Sequence, residues 1–315
     1  MNLWHYLPKP FFALAPMEAV TDIVFRSVID SVAPPDLYFS EFTNATGWAH
    51  AGQKAIGGRL EKRDDENNLL AQIWGGEPGD MEQLAHHCRE LGFAGIDINM
   101  GCPAKSAVKS GGSALIRQPE LAAQAIAAAK LAGLPVSVKT RLGYSKPDEW
   151  YDWLTHLLRQ DIANLTIHLR SKKEMSKVPA HFELIPDIIK LRDEIAPNTL
   201  LTINGDIRDR AHGLEIVAKY PGIDGVMIGR GVFQNPFAFE RDTREHSRDE
   251  LLDLLIFQLD QYDEYNKVIS RPYETLKRYF KIYVRNFDGA NDLRTGLMAT
   301  KNTAEARAIL DGLLK

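Results

Sequence analysis

The stretch Ile96-Asp97-Ile98-Asn99-Met100-Gly101-Cys102-Pro103 ends in a thiol, with Lys105 and the glycines Gly111 and Gly112 close behind. Its apolar run reads as a buried strand, and the Gly/Pro-punctuated segment after it reads as a loop. Cys102 is thereby held at the mouth of a strand beside Asn99 and Lys105, where a thiol can give or take a proton. A free cysteine is otherwise a small buried hydrophobe. Exposure in electropositive surroundings is what separates the two. A thiol of ordinary pKa, about 8.5, stays protonated at neutral pH, which suits an acid better than a nucleophile.

Other polar residues close other apolar runs, so the elements that position them matter. Candidate strands span 11–17, 37–42, 69–74, 95–100, 136–140, 165–168, 200–204 and 225–228. Amphipathic stretches lie between them at 81–91, 119–131, 150–159, 182–195 and 209–219. Pro119 suits a first helical turn and Gly133 a helix stop. Strand alternating with helix predicts parallel pairing, and eight such units match an α/β fold of the (β/α)8 TIM-barrel type. An open doubly wound sheet is the alternative, although no Gly-x-Gly-x-x-Gly follows the first strand. After about Glu240 helical periodicity takes over, in 249–265, 272–285 and 304–314. This predicts a barrel over 1–241 and a small helical domain over 242–315.

Barrel chemistry sits at the C-terminal ends of the strands. Here those ends offer Pro16, Met17 and Glu18, then Glu41, Gln72, and Asn99 with Cys102. They continue with Lys139 and Arg141, His168 and Arg170, Asn204-Gly205-Asp206, and Gly229-Arg230-Gly231. Burying Gln, Asn, Lys, His and Asn in successive strands is costly without partners, and a polar ligand in the mouth supplies them. Glycine-rich loops after strands seven and eight are a common phosphate site in barrels, since glycine lets backbone N–H groups converge on an anion. A phosphate-bearing cofactor with a reducible ring, FMN, suits this arrangement. A phosphosugar barrel has such a site as well, and the residues alone leave both open.

The chain of 315 residues is 44% hydrophobic and 25% charged, ordinary for a soluble globular protein. It has no apolar run of the roughly 20 residues needed to span a bilayer and no signal-peptide pattern at its start. Two cysteines make no disulfide framework, so a cytoplasmic, reducing location is expected. Cys88 beside His86 and His87 is not expected to bind metal, because adjacent helical positions diverge. The net charge of −4 excludes a globally basic nucleic-acid binder. Local runs differ: Arg271, Lys277, Arg278, Lys281 and Arg285 face one acid, Glu274, and Arg170, Lys172, Lys173 and Lys177 face only Glu174. Such patches suit a polyanion. Tyr273, Tyr279 and Tyr283 interleave with the first run, at a spacing that serves core packing as readily as base stacking.

The segments Ala-Pro-Met-Glu-Ala-Val-Thr-Asp (15–22), Asn-Met-Gly-Cys-Pro-Ala-Lys (99–105), Val-Lys-Thr-Arg-Leu-Gly (138–143), Asn-Gly-Asp-Ile (204–207) and Ile-Gly-Arg-Gly (228–231) resemble, in order, those of the tRNA-dihydrouridine synthases. The resemblance implies FMN-dependent reduction of the uracil C5=C6 bond in tRNA, with NADPH as reductant. It implies hydride transfer from flavin N5 to C6 and protonation of C5 by Cys102. Pro16, Met17 and Glu18 would line the flavin, and Gln72 and Lys139 would contact its ring. His168 would sit by flavin and substrate, while Asn204, Gly205, Asp206, Gly229 and Arg230 would hold the phosphate end. Asn99 would orient the uracil, and Lys105, Arg170, Arg271, Lys277 and Arg278 would contact the RNA. A base in folded RNA must be extruded to reach such a pocket. A monomer is expected. Two departures stand out: Ala19 and Leu169 occupy positions where the family usually has glycine, which puts the loop path at Leu169 in question.

Overall fold

The computed structural model describes residues 2–108 and 111–312, the side chains of Lys105 and Ser106 aside. Nine strands, all paired in parallel, form its centre: β1 (Phe11–Leu14), β2 (Tyr38–Phe39), β3 (Thr43–Asn44), β4 (Leu69–Trp74), β5 (Ile96–Asn99), β6 (Val136–Arg141), β7 (Asn164–His168), β8 (Leu200–Asn204) and β9 (Gly225–Ile228). The order β1-β9-β8-β7-β6-β5-β4-β2 closes through a bridge between Ala13 and Leu37. The chain is thus a TIM barrel, as the alternation of strand and helix predicts.

Helices α1 (Ile23–Val32), α2 (Ala45–Ala51), α3 (Gln53–Ile56), α4 (Pro78–Glu90), α5 (Lys105–Val108), α6 (Pro119–Lys130), α7 (Trp150–Leu158), α8 (Ile185–Ile195), α9 (Arg210–Lys219) and α10 (Gly231–Gln234) belong to the barrel segment. The C-terminal region is helical: α11 (Arg248–Ile269), α12 (Lys277–Tyr283), α13 (Ala290–Ala299) and α14 (Thr303–Asp311).

The differences from expectation are local. The first strand stops at Leu14, because Pro16 has no N–H to offer a ladder. The second expected strand, 37–42, shortens to β2, and β3 follows beyond its expected end. Between them the hydroxyl of Ser40, not a carbonyl, accepts from the Gln72 N–H at 2.9 Å, and the ladder breaks there. The helical run expected over 272–285 becomes a 3-10 turn (Tyr273–Thr275) followed by α12. Helix α1 escapes the search for amphipathic periodicity but carries a clear start signal, Asp22 accepting from the Phe25 N–H at 3.0 Å. Leu169 needs no glycine-like backbone: its φ is not positive, and its side chain is buried in the core. Ala19 does take the left-handed conformation, with φ of 57°.

Strand alternation sorts side chains between the barrel interior and the helix layer. Trp4, Phe11, Ala13, Phe39, Leu70 and Met227 pack as one apolar cluster in the barrel. On the β4–β8 side the interior is polar and hydrogen-bonded, as between Thr202 and Asn164 (2.7 Å) and between Asn164 and Thr166 (3.0 Å).

The C-terminal helices dock on this barrel through one ion cluster and a set of main-chain acceptors. Arg271 reaches from the end of α11 to two carboxylates, Glu41 and Asp22, the latter at 3.2 Å. Burial pushes the Glu41 carboxyl up to about 7, against the pull of Arg271. Tyr279 donates to the Val20 carbonyl (3.0 Å) and Arg278 to the Ala19 carbonyl (2.9 Å). Tyr279 also stacks on Phe25 at 5.1 Å. Tyr283 donates to Gln258 at 2.5 Å, and the hydroxyls of Tyr273 and Thr300 lie 2.6 Å apart. All three tyrosines therefore serve packing. Removing one partner of a buried ion cluster leaves uncompensated charge. Arg271→Met should lower stability by about 3–5 kcal/mol, read as a shift in urea midpoint, and an unchanged midpoint would show that the clamp contributes nothing.

Candidate active site at the barrel mouth

The C-terminal rim opens into a cavity of about 690 Å3. Pro16, Met17, Glu18, Asn99, Cys102, Lys139, His168, Asn204, Gly205, Asp206, Gly229 and Arg230 all line it, so the fold brings twelve of the sequence-predicted residues to one place. Arg141, Ser176, Arg208 and Gln234 join them. Ser176 and Arg208 lie in loops, and Gln234 ends the one-turn helix α10, none of which periodicity foretells.

Cys102 is half-buried on a loop tied at several points. Its N–H and that of Gly101 both donate to Asn99 Oδ1, at 2.9 and 3.1 Å. Its carbonyl accepts from the Ser113 N–H at 3.1 Å, and Arg141 Nε donates to the Gly101 carbonyl at 2.8 Å. Burial raises the thiol pKa above its ordinary value, outweighing the Ala104 N–H and the Arg141 and Lys139 cations. The sulfur is therefore a thiol at neutral pH, able to donate a proton. Cys88, by contrast, is buried in α4 away from the mouth.

Behind the loop runs a buried relay. Ser137 Oγ and Gln72 Nε2 each donate to the Asp97 carboxylate at 2.6 Å, and Asn99 Nδ2 donates to Gln72 Oε1 at 3.0 Å. Both ends of the Gln72 amide are thus occupied, and the residue is fully buried without lining the cavity. The ring contact expected of Gln72 gives way to a bracing position, because its neighbours Asp97 and Asn99 take its hydrogen bonds. Asp97 itself shows in the sequence only through the alternation of β5, which turns it inward with Asn99.

Lys139 and His168 face the cavity with different charges. Burial, with Arg141 adding to it, lowers Lys139 to about 8. Its ammonium has one protein acceptor, Asn204 Oδ1 at 3.3 Å, and so keeps donors for a ligand. His168 is held neutral, its pKa well below the usual value through burial and then Arg141, Lys139, Arg170 and Arg230. Arg170 Nη1 lies 3.1 Å from His168 Nε2. A guanidinium only donates, so Nε2 accepts and the ring proton sits on Nδ1.

The loops after β8 and β9 form the anion-ready side. Gly205 has φ of 122°, and a Cβ at Gly231 would lie 2.0 Å from the Arg208 carbonyl oxygen, so only glycine lets these two loops meet. Asp206 pairs with Arg170 and, at 3.4 Å, with Arg230. Arg208 and Arg230 are exposed at the rim.

Two residues expected to touch RNA are placed otherwise. Arg170 is buried, taken up by Asp206 and the Val178 carbonyl (2.6 Å), because the 170–180 loop folds over it. Arg271 is taken up by Glu41 and Asp22. The Lys105 side chain lies outside the described residues. Lys277 and Arg278 do reach the surface of the C-terminal region, where with Lys281, Arg294, Thr295 and Met298 they line a cleft of about 480 Å3. Among the described residues no carboxylate lines it, although Lys277 pairs with Glu274 at 2.9 Å.

Comparison with known proteins agrees with this geometry. A solved structure titled as a variant of NCR from Zymomonas mobilis superposes with a TM-score of 0.51 at 16% identity, over 75% of this chain and 89% of that one, a likeness of fold. Two relatives are each 57% identical over 312 residues, or 98% of this chain. One is "Probable tRNA-dihydrouridine synthase 2" of Bacillus subtilis strain 168, covered over 96% of its length. The other is "Probable tRNA-dihydrouridine synthase" of Staphylococcus aureus strain Mu50, covered over 95%. The family profile described as "Dihydrouridine synthase (Dus)" matches residues 13–313. From barrel to terminal helices, the chain belongs to the dihydrouridine synthase family.

Proposed function

We propose that the protein reduces specific uridines of tRNA to 5,6-dihydrouridine with FMN as cofactor and NADPH as reductant. One observation carries the reading: a protonated, half-buried thiol shares a single cavity with an under-partnered ammonium and a glycine-built, arginine-rimmed anion cradle. The residues present fit FMN. Asn204, Gly205, Asp206, Gly229 and Arg230 would hold its phosphate end, Lys139 its ring, and Pro16, Met17 and Glu18 its edge. When bound, the flavin supplies the hydride for uracil C6.

The chain's own residues do the rest. Cys102 holds its proton on Sγ for C5, Asn99 fixes the loop that carries it, and neutral His168 offers Nδ1–H to the ligand. The cleft of Lys277, Arg278, Lys281 and Arg294 binds the phosphate backbone, offsetting the few kcal/mol needed to extrude a base. In this reading residues 1–241 are the catalytic part and 242–315 the RNA-binding part of a cytoplasmic monomer. Among the described residues, no helix is long and apolar enough to cross a membrane.

The principal test is genetic and chemical. tRNA from a deletion strain should lack dihydrouridine, restored by the wild-type gene and not by Cys102→Ala. The purified variant should keep its flavin absorbance and lose turnover by roughly 10²–10⁴-fold, the scale of a general acid. Full activity of Cys102→Ala would refute the acid role.

Activity should also decline with rising pH through a limb near 8, as Lys139 loses its proton. The sign follows from the cation being present only below that value. Lys139→Arg should move the limb upward, whereas an unmoved limb would assign it elsewhere. Finally, Lys277→Ala with Lys281→Ala should raise KM for tRNA, flatten its salt dependence and leave kcat unaltered, because both side chains line the cleft and neither bonds to the barrel. An equal KM would take the cleft out of the RNA footprint.

A further inference from the structure

The geometry points to Asp97 as a positioning residue. Through Gln72 and Asn99 it sets the polarity of a hydrogen-bond relay that holds the N–H groups of Gly101 and Cys102, and so the thiol. This rests on the reading of Cys102 as the proton donor.

Donor and acceptor chemistry alone fixes the sense of the relay. An ionised carboxylate accepts and never donates, so Gln72 must turn its NH2 to Asp97 (2.6 Å). Its oxygen is then left for Asn99, which must turn its own NH2 to meet it (3.0 Å). That leaves Asn99 Oδ1 facing the backbone N–H groups of Gly101 and Cys102 (3.1 and 2.9 Å). Read from the other end, two backbone donors demand the same orientation of Asn99. The two ends agree, and neither amide has a free choice. Ser137 fixes the second carboxylate oxygen (2.6 Å), so Asp97 is anchored in turn. Asp97, Gln72 and Asn99 are all buried, so water offers little alternative. Asp97 touches neither the cavity nor the thiol; it reaches the thiol loop through the two amides, while its charge also supports the Lys139 ammonium.

The relay can be reversed on paper, and that gives its test. In Asn99→Asp, Gln72 lies between two carboxylates and one oxygen–oxygen contact is unavoidable. Asp97→Asn alone keeps the original sense, since the new amide at position 97 can accept from Gln72 while its NH2 meets the Ser137 hydroxyl. In the double variant Gln72 turns over, donating to the new carboxylate at position 99 and accepting from the new amide at position 97. That carboxylate still accepts from the N–H groups of Gly101 and Cys102.

The four flavin-loaded proteins would be assayed at mildly alkaline pH on tRNA from the deletion strain, alongside amide hydrogen exchange of segment 99–103. Asn99→Asp should lose about a hundredfold in kcat, the cost of a displaced catalytic group. It should also exchange about tenfold faster, as expected for one or two lost amide hydrogen bonds. KM for tRNA should hold. Asp97→Asn should keep the wild-type exchange rate of segment 99–103, and the double variant should regain most of both losses.

A double variant no better than Asn99→Asp would overturn the proposal. If Asn99→Asp does not fold, recovery of a folded double variant is the same rescue. Gln72→Met, which removes both amide ends, should then show the fast exchange, and slow exchange there would overturn the relay. An active Cys102→Ala would remove the acid role and leave the exchange rescue standing. An inactive Cys102→Ala with no rescue would remove the relay alone.

Discussion

Polar side chains inside a parallel barrel are tolerable only when every donor meets an acceptor, and the site is built on that constraint. The β4–β8 side of this barrel buries a carboxylate, four amides and hydroxyls and half-buries an ammonium and an imidazole, where the opposite side buries Phe11, Ala13, Phe39 and Met227. The apolar side stabilises the fold by area alone. The polar side has little freedom, because each group's partner dictates the next group's orientation. Cys102 inherits its place from that wall, and the ligand-facing residues are those whose hydrogen-bonding capacity the wall leaves unused. Among the described residues Lys139 has one protein acceptor for three N–H donors, while both ends of the Gln72 amide are engaged.

Charge follows the same logic at the rim and at the junction with the C-terminal helices. Arg141 is buried with no carboxylate partner among the described residues and directs its donors to the carbonyls of Gly101, Ser171 and Met175, so one cation ties the thiol loop to the loop after β7. Its field helps keep His168 neutral and Lys139 weakly basic. Arg271 does the opposite work, drawing Asp22 and Glu41 together beneath α11. Those carboxylates are raised by burial and remain useful because the arginine is between them.

The alternation of apolar runs and amphipathic helices carried the fold, because the barrel's period is written into every βα unit. Strand ends then named most of the cavity lining. What escaped has physical reasons. Ser176 and Arg208 enter by loop paths set by tertiary contact, and Gln234 by a helix of a single turn. Gln72, Arg170 and Arg271 are of the right type at the right place, yet nearby acidic groups claim them first. A linear sequence shows a side chain's capacity to bond but not which neighbour takes it. The early end of the second strand is the same lesson at backbone scale, since a single serine hydroxyl takes the place of a carbonyl in the ladder.

Ala19 has a consequence beyond its own turn. With φ of 57° it sends its carbonyl to Arg278 and Tyr279, and Val20 sends the next one to Tyr279. The helical region therefore grips this loop by peptide oxygens that any sequence would supply. Met17 and Glu18, on the cavity side of the same loop, carry none of that grip. Site and joint share one stretch of chain and yet are uncoupled: the loop's inward side chains can be exchanged to suit a different ligand while the outward handshake stays intact.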